Sequence, residues 1–296
     1  MKRMRKNYIA LTGFILMVFI ISCKKEQEIP SYLFIPDVNA SSIYSISGSD
    51  SSKIYGAKVF LNNQVIGVYQ TPVEVPVFAE GDQNIQIIAL IEKDGFSDAL
   101  IPYPFYDFTE NAVFLGKDST VKIAPVVDYL PTTNVTYWFE DFEGQGMKFI
   151  NFESSTSELE ITNNSEKVYE ANGSGLFKLD KDSAYIKSLT NEEFIYTKGT
   201  NAFVELHYKN NQPFFFNVVI KLQSGQVKKI PRFQFKETVD SSTGELFWNK
   251  IYLEIGSVLN IENQLQSFEI CFEALRDVSV SNPVVLIDNV KLIRDK

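Results

Sequence analysis

Apolar and polar residues alternate along most of the chain beyond residue 134, with turn-forming residues between the alternating stretches. A period of two is typical of β-strands that bury one face, and the pattern suggests helix only for a single turn over 189–194. Regularly spaced strands are characteristic of a β-sandwich. The predicted strands are 135–139, 148–152, 159–162, 175–179, 184–187, 202–208, 214–222, 226–235, 248–255, 267–273 and 284–293.

A smaller β-unit is predicted upstream, beginning at residue 56. Its first two strands, 58–61 and 64–68, are separated by Asn62 and Asn63. Asparagine tolerates the left-handed backbone conformations of a tight hairpin turn, so this stretch predicts a hairpin. Further strands of the unit are predicted at 84–91, 113–115, 121–123 and 126–129.

The domain boundaries follow from these two groups of strands. We expect a first domain over 54–131 and a second over 132–296. Residues 23–53 are expected to form a tether that precedes the first domain. A short strand is predicted at 32–36, but the serine-rich stretch 41–52 has the composition of a loop.

Residues 101–108 hold four aromatic residues and two prolines, a combination that excludes a central strand. Two interpretations remain open. Tyr103, Phe105 and Tyr106 belong either to an exposed strip that binds a partner, since aromatic residues dominate binding hot spots, or to the packing between the two domains.

The first 22 residues have the composition of a secretory signal peptide. Four basic residues precede an apolar run over 9–21, which is too short for a comfortable membrane span. The stretch Ile20-Ile21-Ser22-Cys23 resembles the lipobox of bacterial lipoproteins. That resemblance implies cleavage after residue 22, and lipidation of Cys23 as the mature N-terminus.

The residues that follow Cys23 resemble a second signal. Lys24-Lys25-Glu26-Gln27-Glu28 is similar to the surface-export signal of lipoproteins from the Bacteroidota phylum. The resemblance implies a lipoprotein of the outer membrane. Display at the cell surface and a position facing the periplasm both remain open.

The hairpin region resembles PEGA-type modules. The resemblance covers Gly56–Gly67, Thr71-Pro72 and Gly81, with Asn63 where the family usually has glycine. PEGA modules are small β-sandwiches on envelope proteins. The resemblance implies a spacer or adhesion-like unit and carries no catalytic residues.

The second domain is similar to the galactose-binding-like jelly-roll superfamily, which includes carbohydrate-binding modules. The similarity lies in Asp141–Gly144, Asn172–Phe177, Trp248–Glu254 and Val285–Leu292. The expected fold is therefore all-β, with a small β-sandwich followed by a larger jelly-roll β-sandwich. Because these strand-end patterns occur in many members that bind no ligand, they imply a fold and not a ligand.

Charge and cysteine content exclude several classes of protein. The chain has 28 basic and 37 acidic residues, and loss of the signal peptide leaves 24 basic residues and a net charge of −13. This balance argues against nucleic acid or anionic lipid as a partner. With Cys23 lipidated, Cys271 has no disulfide partner, and we expect it to be a semi-buried structural thiol.

Catalytic groups are scarce. The only histidine, His207, lies in an alternating strand, where we expect a hydrogen-bonded residue of the sheet. A single histidine removes most catalytic triads and nearly all histidine-rich metal sites, and the chain has no nucleophile elbow, phosphate loop or HExxH motif. The sequence therefore predicts a protein without enzymatic activity.

Three acidic residues form a candidate calcium site. Asp288 shares a strand face with apolar residues, and a carboxylate in that position needs hydrogen bonds or a cation. First and last strands are often close in jelly-rolls, so Asp141 or Glu143 could join Asp288 around a structural Ca²⁺. Hydrogen bonds to loop amides are the alternative, and a pair of glycosidase carboxylates is a third. No other cofactor is expected.

Two functions remain open. The first is a binding or scaffold role in the cell envelope, in which the outer-membrane lipoprotein docks on other envelope proteins through the aromatic strip at 103–108. The alternative is capture of a surface glycan, with Trp248 and Tyr252 as the residues that stack on sugar rings. Both assume that the lipid on Cys23 attaches the protein to the membrane.

Overall fold

The computed structural model describes residues 29–144 and 146–296. The signal peptide and Cys23, with their predicted cleavage and lipidation, lie outside these residues. The described chain folds as two β-sandwiches that follow each other in sequence, which confirms the all-β prediction. None of the helices in the described ranges has the length and apolar character needed to cross a membrane.

The first domain is built from ten strands. One sheet has the order β4-β3-β6-β7 with β8 also beside β6, and a second has the order β5-β1-β9. A short parallel pair, β2 and β10, flanks them. The strands are β1 (Ser31–Ile35), β2 (Asn39–Ser41), β3 (Gly56–Leu61), β4 (Gln64–Gln70), β5 (Val73–Val77), β6 (Gly81–Glu92), β7 (Leu100–Pro102), β8 (Thr109–Leu115), β9 (Thr120–Lys122) and β10 (Val126–Asp128).

The hairpin of β3 and β4 forms where it was predicted. Asn62 and Asn63 both adopt positive φ angles, 47° and 67°, in the two-residue turn between the strands. Asparagine tolerates this left-handed conformation, and the resulting turn matches the twist of the flanking strands. The turn residues therefore determine the register of the hairpin.

The expected tether over 23–53 is incorrect from residue 31 onward. β1 pairs antiparallel with β5 and parallel with β9, and Leu33 and Ile35 are fully buried. The first domain thus begins at residue 31 and not at 54. The prediction failed because the strands that pair with β1 lie about 40 and 90 residues later in the chain, and no local pattern indicates them.

The second domain is built from eleven strands in two antiparallel sheets. The first, called here the junction sheet, has the order β13-β14-β21-β16-β19 with β11 also beside β21, and the other has the order β12-β15-β20-β17-β18. The strands are β11 (Val135–Glu140), β12 (Phe149–Asn151), β13 (Leu159–Thr162), β14 (Ser174–Phe177), β15 (Tyr185–Thr190), β16 (Ala202–Asn210), β17 (Phe214–Leu222), β18 (Val227–Phe235), β19 (Asn249–Glu254), β20 (Leu265–Leu275) and β21 (Val285–Asp295).

The two sheets pack face to face as a jelly-roll β-sandwich, as the sequence predicted. Aliphatic and phenylalanine side chains from both inner faces fill the core, among them Leu206, Phe216 and Phe272. The expected helical turn over 189–194 does not form, because β15 continues to Thr190 and Phe194 forms an isolated β-bridge with Phe268. Short helices occur instead at Tyr44–Ser47 and Gly256–Ile261.

Strand β16 is buried on both faces. Val204 and Leu206 face the sandwich core, whereas Phe203, Glu205 and His207 lie on the outer face of the junction sheet, yet all of them are buried. The first domain and residues 49–53 cover this outer face. The two domains therefore meet in one continuous interface, which covers the outer face of the junction sheet at β16.

Cys271 is fully buried against Leu189 and Val219. Burial raises the pKa of its thiol to about 12, so the group stays protonated at neutral pH. It is a structural thiol, as expected, although more deeply buried than the sequence indicated.

Candidate functional site

The aromatic strip of residues 101–108 packs inside the junction between the domains. Tyr103, Phe105 and Tyr106 are buried. The ring of Tyr103 makes edge-on contacts with Phe203 and Tyr252 of the second domain, at centroid distances of 5.3 and 5.0 Å. An exposed recognition strip is therefore incorrect for these three residues, and packing between the domains accounts for them.

A buried carboxylate organises the polar part of this junction. Glu205 accepts hydrogen bonds from the hydroxyl groups of Tyr103 (2.7 Å) and Tyr129 (2.8 Å), and it pairs with Lys250 at 2.7 Å. Burial alone would raise the pKa of Glu205, but the charges of Lys250 and Lys291 outweigh that effect and hold it below its usual value. Glu205 is thus an ionised group inside the protein.

Residues 49–53, called here the serine segment, lie across the outer face of the junction sheet. Two buried lysines hold its backbone: Lys291 donates to the carbonyl of Ser49 at 2.9 Å, and Lys250 donates to the carbonyl of Ser51. The Ser49 hydroxyl donates to Glu170 at 2.7 Å. The stretch predicted as a solvated loop therefore satisfies buried charged groups of the second domain.

His207 lies beneath the serine segment. Its Nε2 atom is 3.0 Å from the Ser51 hydroxyl, and its ring stacks on Tyr169 at a centroid distance of 4.0 Å. Burial, and then the charges of Lys250 and Lys291, hold the pKa of His207 well below its usual value. The imidazole is neutral and covered, as expected for a hydrogen-bonded residue of the sheet.

Asp288 is the buried carboxylate of the last strand. It accepts hydrogen bonds from the Ser174 hydroxyl (2.5 Å) and from the backbone amide of Asn289 (2.7 Å). Burial raises the pKa of Asp288 to about 7. Of the alternatives considered for Asp288, hydrogen bonding is the one that the structure shows.

The two partner carboxylates expected at a calcium site are also hydrogen-bonded. Glu143 accepts from the backbone amides of Asn172 and Gly173, and Asp141 accepts from the hydroxyl of Tyr44. The described residues contain no group of three or more histidine, cysteine or acidic side chains placed to hold a metal. Calcium binding by Asp288, Glu143 and Asp141 remains an untested prediction.

The two residues expected to stack on sugars have different environments. Tyr252 is buried, and its hydroxyl accepts from the backbone amide of Lys53 at 3.0 Å and lies 3.2 Å from the Tyr106 hydroxyl. A sugar cannot reach its ring, so that expectation is incorrect. Trp248 is half-buried beside Tyr169, with a centroid distance of 5.3 Å, and keeps part of its surface accessible.

A cleft of about 500 Å³ opens where the two domains meet. The first domain contributes the segment before β3 and the loop that follows β6, and the second contributes strands β18 and β19. The floor includes the edge of the buried network at Lys250 and Tyr252. The residues that line the walls include Lys53, Tyr55, Glu92, Phe96, Phe233 and Asn249.

The loop after β6 is fixed to the second domain. Asp94 pairs with Arg232 at 2.5 Å, and its other oxygen accepts from the backbone amide of Glu254 at 2.9 Å. The backbone amide of Asp94 donates to the carbonyl of Tyr252. These bonds hold the next turn in place and leave the ring of Phe96 59% exposed at the cleft.

The opposite wall carries polar groups. The Lys53 ammonium donates to the side-chain oxygen of Asn249, and the Asn249 amide donates to the Tyr208 hydroxyl at 2.7 Å. Sequence reasoning missed Phe96, Lys53 and Asn249. The Asp94-Gly95 turn was visible in the sequence, but nothing local indicated that it contacts the second domain.

No protein-family model and no curated protein matches the chain. Solved structures to which the chain is similar include the CBM22-1 xylan-binding domain of Xyn10C from Paenibacillus barcinonensis, a family 29 carbohydrate-binding module from Piromyces equi, and an adhesin domain of Lys-gingipain from Porphyromonas gingivalis. They are 13%, 14% and 12% identical to the chain, with TM-scores of 0.37, 0.33 and 0.36. Each matches 53–54% of this chain, and 94%, 90% and 97% of its own length. The fold assignment rests on the strand order described above.

Proposed function

We propose that the protein is a non-enzymatic glycan-binding protein and that the junction cleft holds an oligosaccharide. The observation that carries this proposal is the exposed ring of Phe96 in the same cleft as the polar side chains of Lys53 and Asn249. A sugar ring presents an apolar C–H face and a rim of hydroxyl groups. Aromatic rings contact the first, and amide and ammonium groups bind the second.

The charges in the cleft favour a neutral glycan. Lys53, Lys236 and Lys250 line it together with Glu92 and Asp94, and Lys250 is paired with the buried Glu205, so the net charge of the cleft is small. Asp94 is already paired with Arg232. Binding pockets of this kind combine an apolar surface with a few polar groups that fix the orientation of the ligand.

The same cleft supports the absence of catalysis. Glycoside hydrolysis requires two carboxyl groups on opposite sides of the bond. In the part of the chain that the structure describes, Glu92 and Asp94 are the carboxylates that line the cleft, and Asp94 is paired with Arg232. His207 lies beneath the serine segment, and its imidazole is uncharged at neutral pH. These observations support a binding role.

The surface that the scaffold function was expected to use is buried. Docking on envelope proteins was expected to use the strip at 103–108, yet Tyr103, Phe105 and Tyr106 are buried. Phe108 is the aromatic residue of the strip that stays exposed. A glycan in the junction cleft therefore fits the structure better than an envelope protein on the strip.

Binding to an immobilised panel of neutral oligosaccharides is expected for the protein. Replacing Phe96 by alanine should weaken the binding about tenfold, equivalent to ~1.4 kcal/mol, because the C–H face of the sugar loses its aromatic contact. Asn249→Ala should weaken it similarly through the loss of hydrogen bonds. Titration by isothermal calorimetry on a hit from the panel measures both effects.

Phe108→Ala is the matched control, since Phe108 is also half exposed and lies outside the cleft. It should leave the affinity unchanged. Binding that survives Phe96→Ala and Asn249→Ala but is lost with Trp248→Ala would move the site to the outer edge of β19. Failure to bind any glycan of the panel would overturn the proposal.

We also propose that this binding protein is anchored to the outer membrane through a lipid on Cys23. The lipobox-like stretch before Cys23 supports the anchor. Two or three acyl chains hold a protein far more firmly than one, so attachment should be stable.

Cys23→Ala should abolish metabolic labelling with palmitate and move the protein from the membrane to the soluble fraction. Cys271→Ala provides the matched control, because it removes the other cysteine, which is buried and not a lipidation site. Labelling of the Cys23→Ala variant would contradict the anchor.

A further inference from the structure

The chain enters the first domain at one well-defined point. The Ser31 hydroxyl donates to the carbonyls of Gly116 (2.8 Å) and Ala79 (3.2 Å), and the carbonyl of Pro30 accepts from the amide of Asp118 at 3.1 Å. The loop between β8 and β9 and the loop between β5 and β6 therefore meet where the chain enters. We call this part of the surface the entry end.

Large apolar side chains are exposed at the entry end. Phe78 precedes Ala79 and is 65% exposed, Phe114 lies two residues before Gly116 and is 68% exposed, and Ile29 is 53% exposed. Their neighbours Val77 and Leu115 are buried. Phe78 and Phe114 are thus the two most exposed phenylalanines of the part of the chain that the structure describes, and both lie at the entry end.

The distance to the lipid-bearing cysteine is short. Six Cα–Cα steps separate Cys23 from Ile29, and they span at most about 22 Å even in a fully extended chain. A lipid on Cys23 would therefore keep the entry end within that distance of the bilayer surface. Other faces of the protein carry no such constraint.

We propose that Ile29, Phe78 and Phe114 form a membrane-contact surface that rests on the bilayer to which Cys23 is anchored. The proposal rests on the lipid anchor proposed above and is independent of glycan binding. Apolar side chains of this kind enter the boundary between headgroups and acyl chains, and their burial there is favourable. The surface gives the lipoprotein a fixed orientation, where a lipid anchor alone would leave it free to tumble.

The charges at the entry end favour zwitterionic lipid. Lys117 pairs with Glu80 at 3.2 Å, so this cation is locally balanced. Loss of the signal peptide leaves the chain with a net charge of −13, which is repelled by an anionic surface. Apolar contact must therefore supply the attraction.

The test uses the lipidated protein reconstituted in phosphatidylcholine vesicles that contain nitroxide-labelled lipid. Environment-sensitive fluorophores are attached to Phe78→Cys or Phe114→Cys, and to Phe247→Cys as the matched control. Phe247 is 47% exposed and belongs to the second domain. Cys271 is buried with a raised pKa, so it does not compete for the label.

We expect the fluorescence at positions 78 and 114 to shift to the blue and to be largely quenched by the nitroxide, and the fluorescence at 247 to be unchanged. Equal, weak quenching at all three positions, in protein that floats with the vesicles, would overturn the surface while leaving the anchor intact. A blue shift at positions 78 and 114 in native membranes but not in pure lipid vesicles would indicate a protein partner and also overturn the membrane-contact surface.

Protein that stays in the aqueous fraction would overturn the anchor, and the surface with it. That outcome is separate from the failure of the glycan proposal, which the oligosaccharide panel tests in solution. Membrane contact and glycan binding are therefore tested by separate measurements.

Discussion

Glu205→Gln is expected to lower the free energy of unfolding by about 3–5 kcal/mol, the usual range when one partner of a buried ion pair is removed. The substitution keeps the shape of the side chain and removes its charge. Lys250, which is buried, then lies in the junction without its counter-charge. Lys291, whose pKa burial already lowers to about 7, loses the negative charge that favours its ammonium form. The new amide also directs N–H groups at a site where Tyr103 and Tyr129 both donate.

Urea unfolding followed by tryptophan fluorescence measures this loss. Glu80→Gln is the matched control, because Glu80 pairs with Lys117 at the surface, where both side chains are about 60% exposed. Surface pairs contribute ~1 kcal/mol or less, so this variant should change little.

The double variant Glu205→Gln, Lys250→Met gives a second comparison. It removes the cation that Glu205→Gln leaves unpaired, so it should recover part of the stability lost in Glu205→Gln alone. A loss of less than about 1 kcal/mol in Glu205→Gln, similar to that of Glu80→Gln, would contradict an ionised Glu205 at the centre of the junction.

The strands and the first hairpin could be predicted because their signals are local. Alternation along 202–208 and 226–235 corresponds closely to β16 and β18, and the two asparagines indicated the turn between β3 and β4. Period and turn chemistry act over a few residues. These signals can therefore be read from the sequence without knowledge of the tertiary structure.

The candidate site could not be predicted, because it depends on contacts between distant parts of the chain. The alternation Phe203-Val-Glu-Leu-His-Tyr208 is the same whether the outer face of the strand meets solvent or another domain. The first domain covers that face, so Glu205 and His207 are buried although the pattern would leave them exposed. Two of the site's contacts, Lys53 with Asn249 and Asp94 with Arg232, join residues more than 130 positions apart.

The serine segment is a second example of contacts that could not be predicted from the sequence. Its composition predicts a solvated loop, yet the carbonyls of Ser49 and Ser51 are the acceptors for two buried lysines. A carbonyl is present at every residue, so no sequence pattern can mark the ones that will accept such bonds. Burial of polar groups is satisfied here by backbone that the fold brings into place.

Asp288→Asn is expected to change the pH dependence of stability between pH 5 and pH 7. Burial raises the pKa of Asp288 to about 7, so the folded protein binds this proton more tightly than the unfolded chain does. The stabilising contribution is complete below pH 4 and is lost as the pH rises towards 7. The wild type should lose about 2 kcal/mol from this residue over the two pH units, since each pKa unit corresponds to about 1.4 kcal/mol.

Asparagine at position 288 does not titrate and can still accept the hydrogen bond from the amide of Asn289, so the variant should lack this loss. Lys291 has a lowered pKa, also about 7, but its contribution is lost as the pH falls from above 10 towards 7. Below pH 7 that contribution is nearly constant. His207, whose pKa lies well below its usual value, gives a change of opposite sign in the same window, because the unfolded chain binds its proton and the folded protein does not. That change is common to both proteins, so the difference between the wild type and Asp288→Asn isolates Asp288.

Urea unfolding of both proteins at pH 5, 6 and 7 gives the difference at each pH. Asp240→Asn is the matched control. Ser242 hydrogen bonds hold the pKa of the exposed Asp240 below its usual value, so it stays ionised throughout the window, and its replacement should leave the pH dependence unchanged. Parallel stability curves for the wild type and Asp288→Asn would mean that Asp288 is ionised at pH 5, and that the Ser174 and Asn289 hydrogen bonds outweigh the cost of its burial.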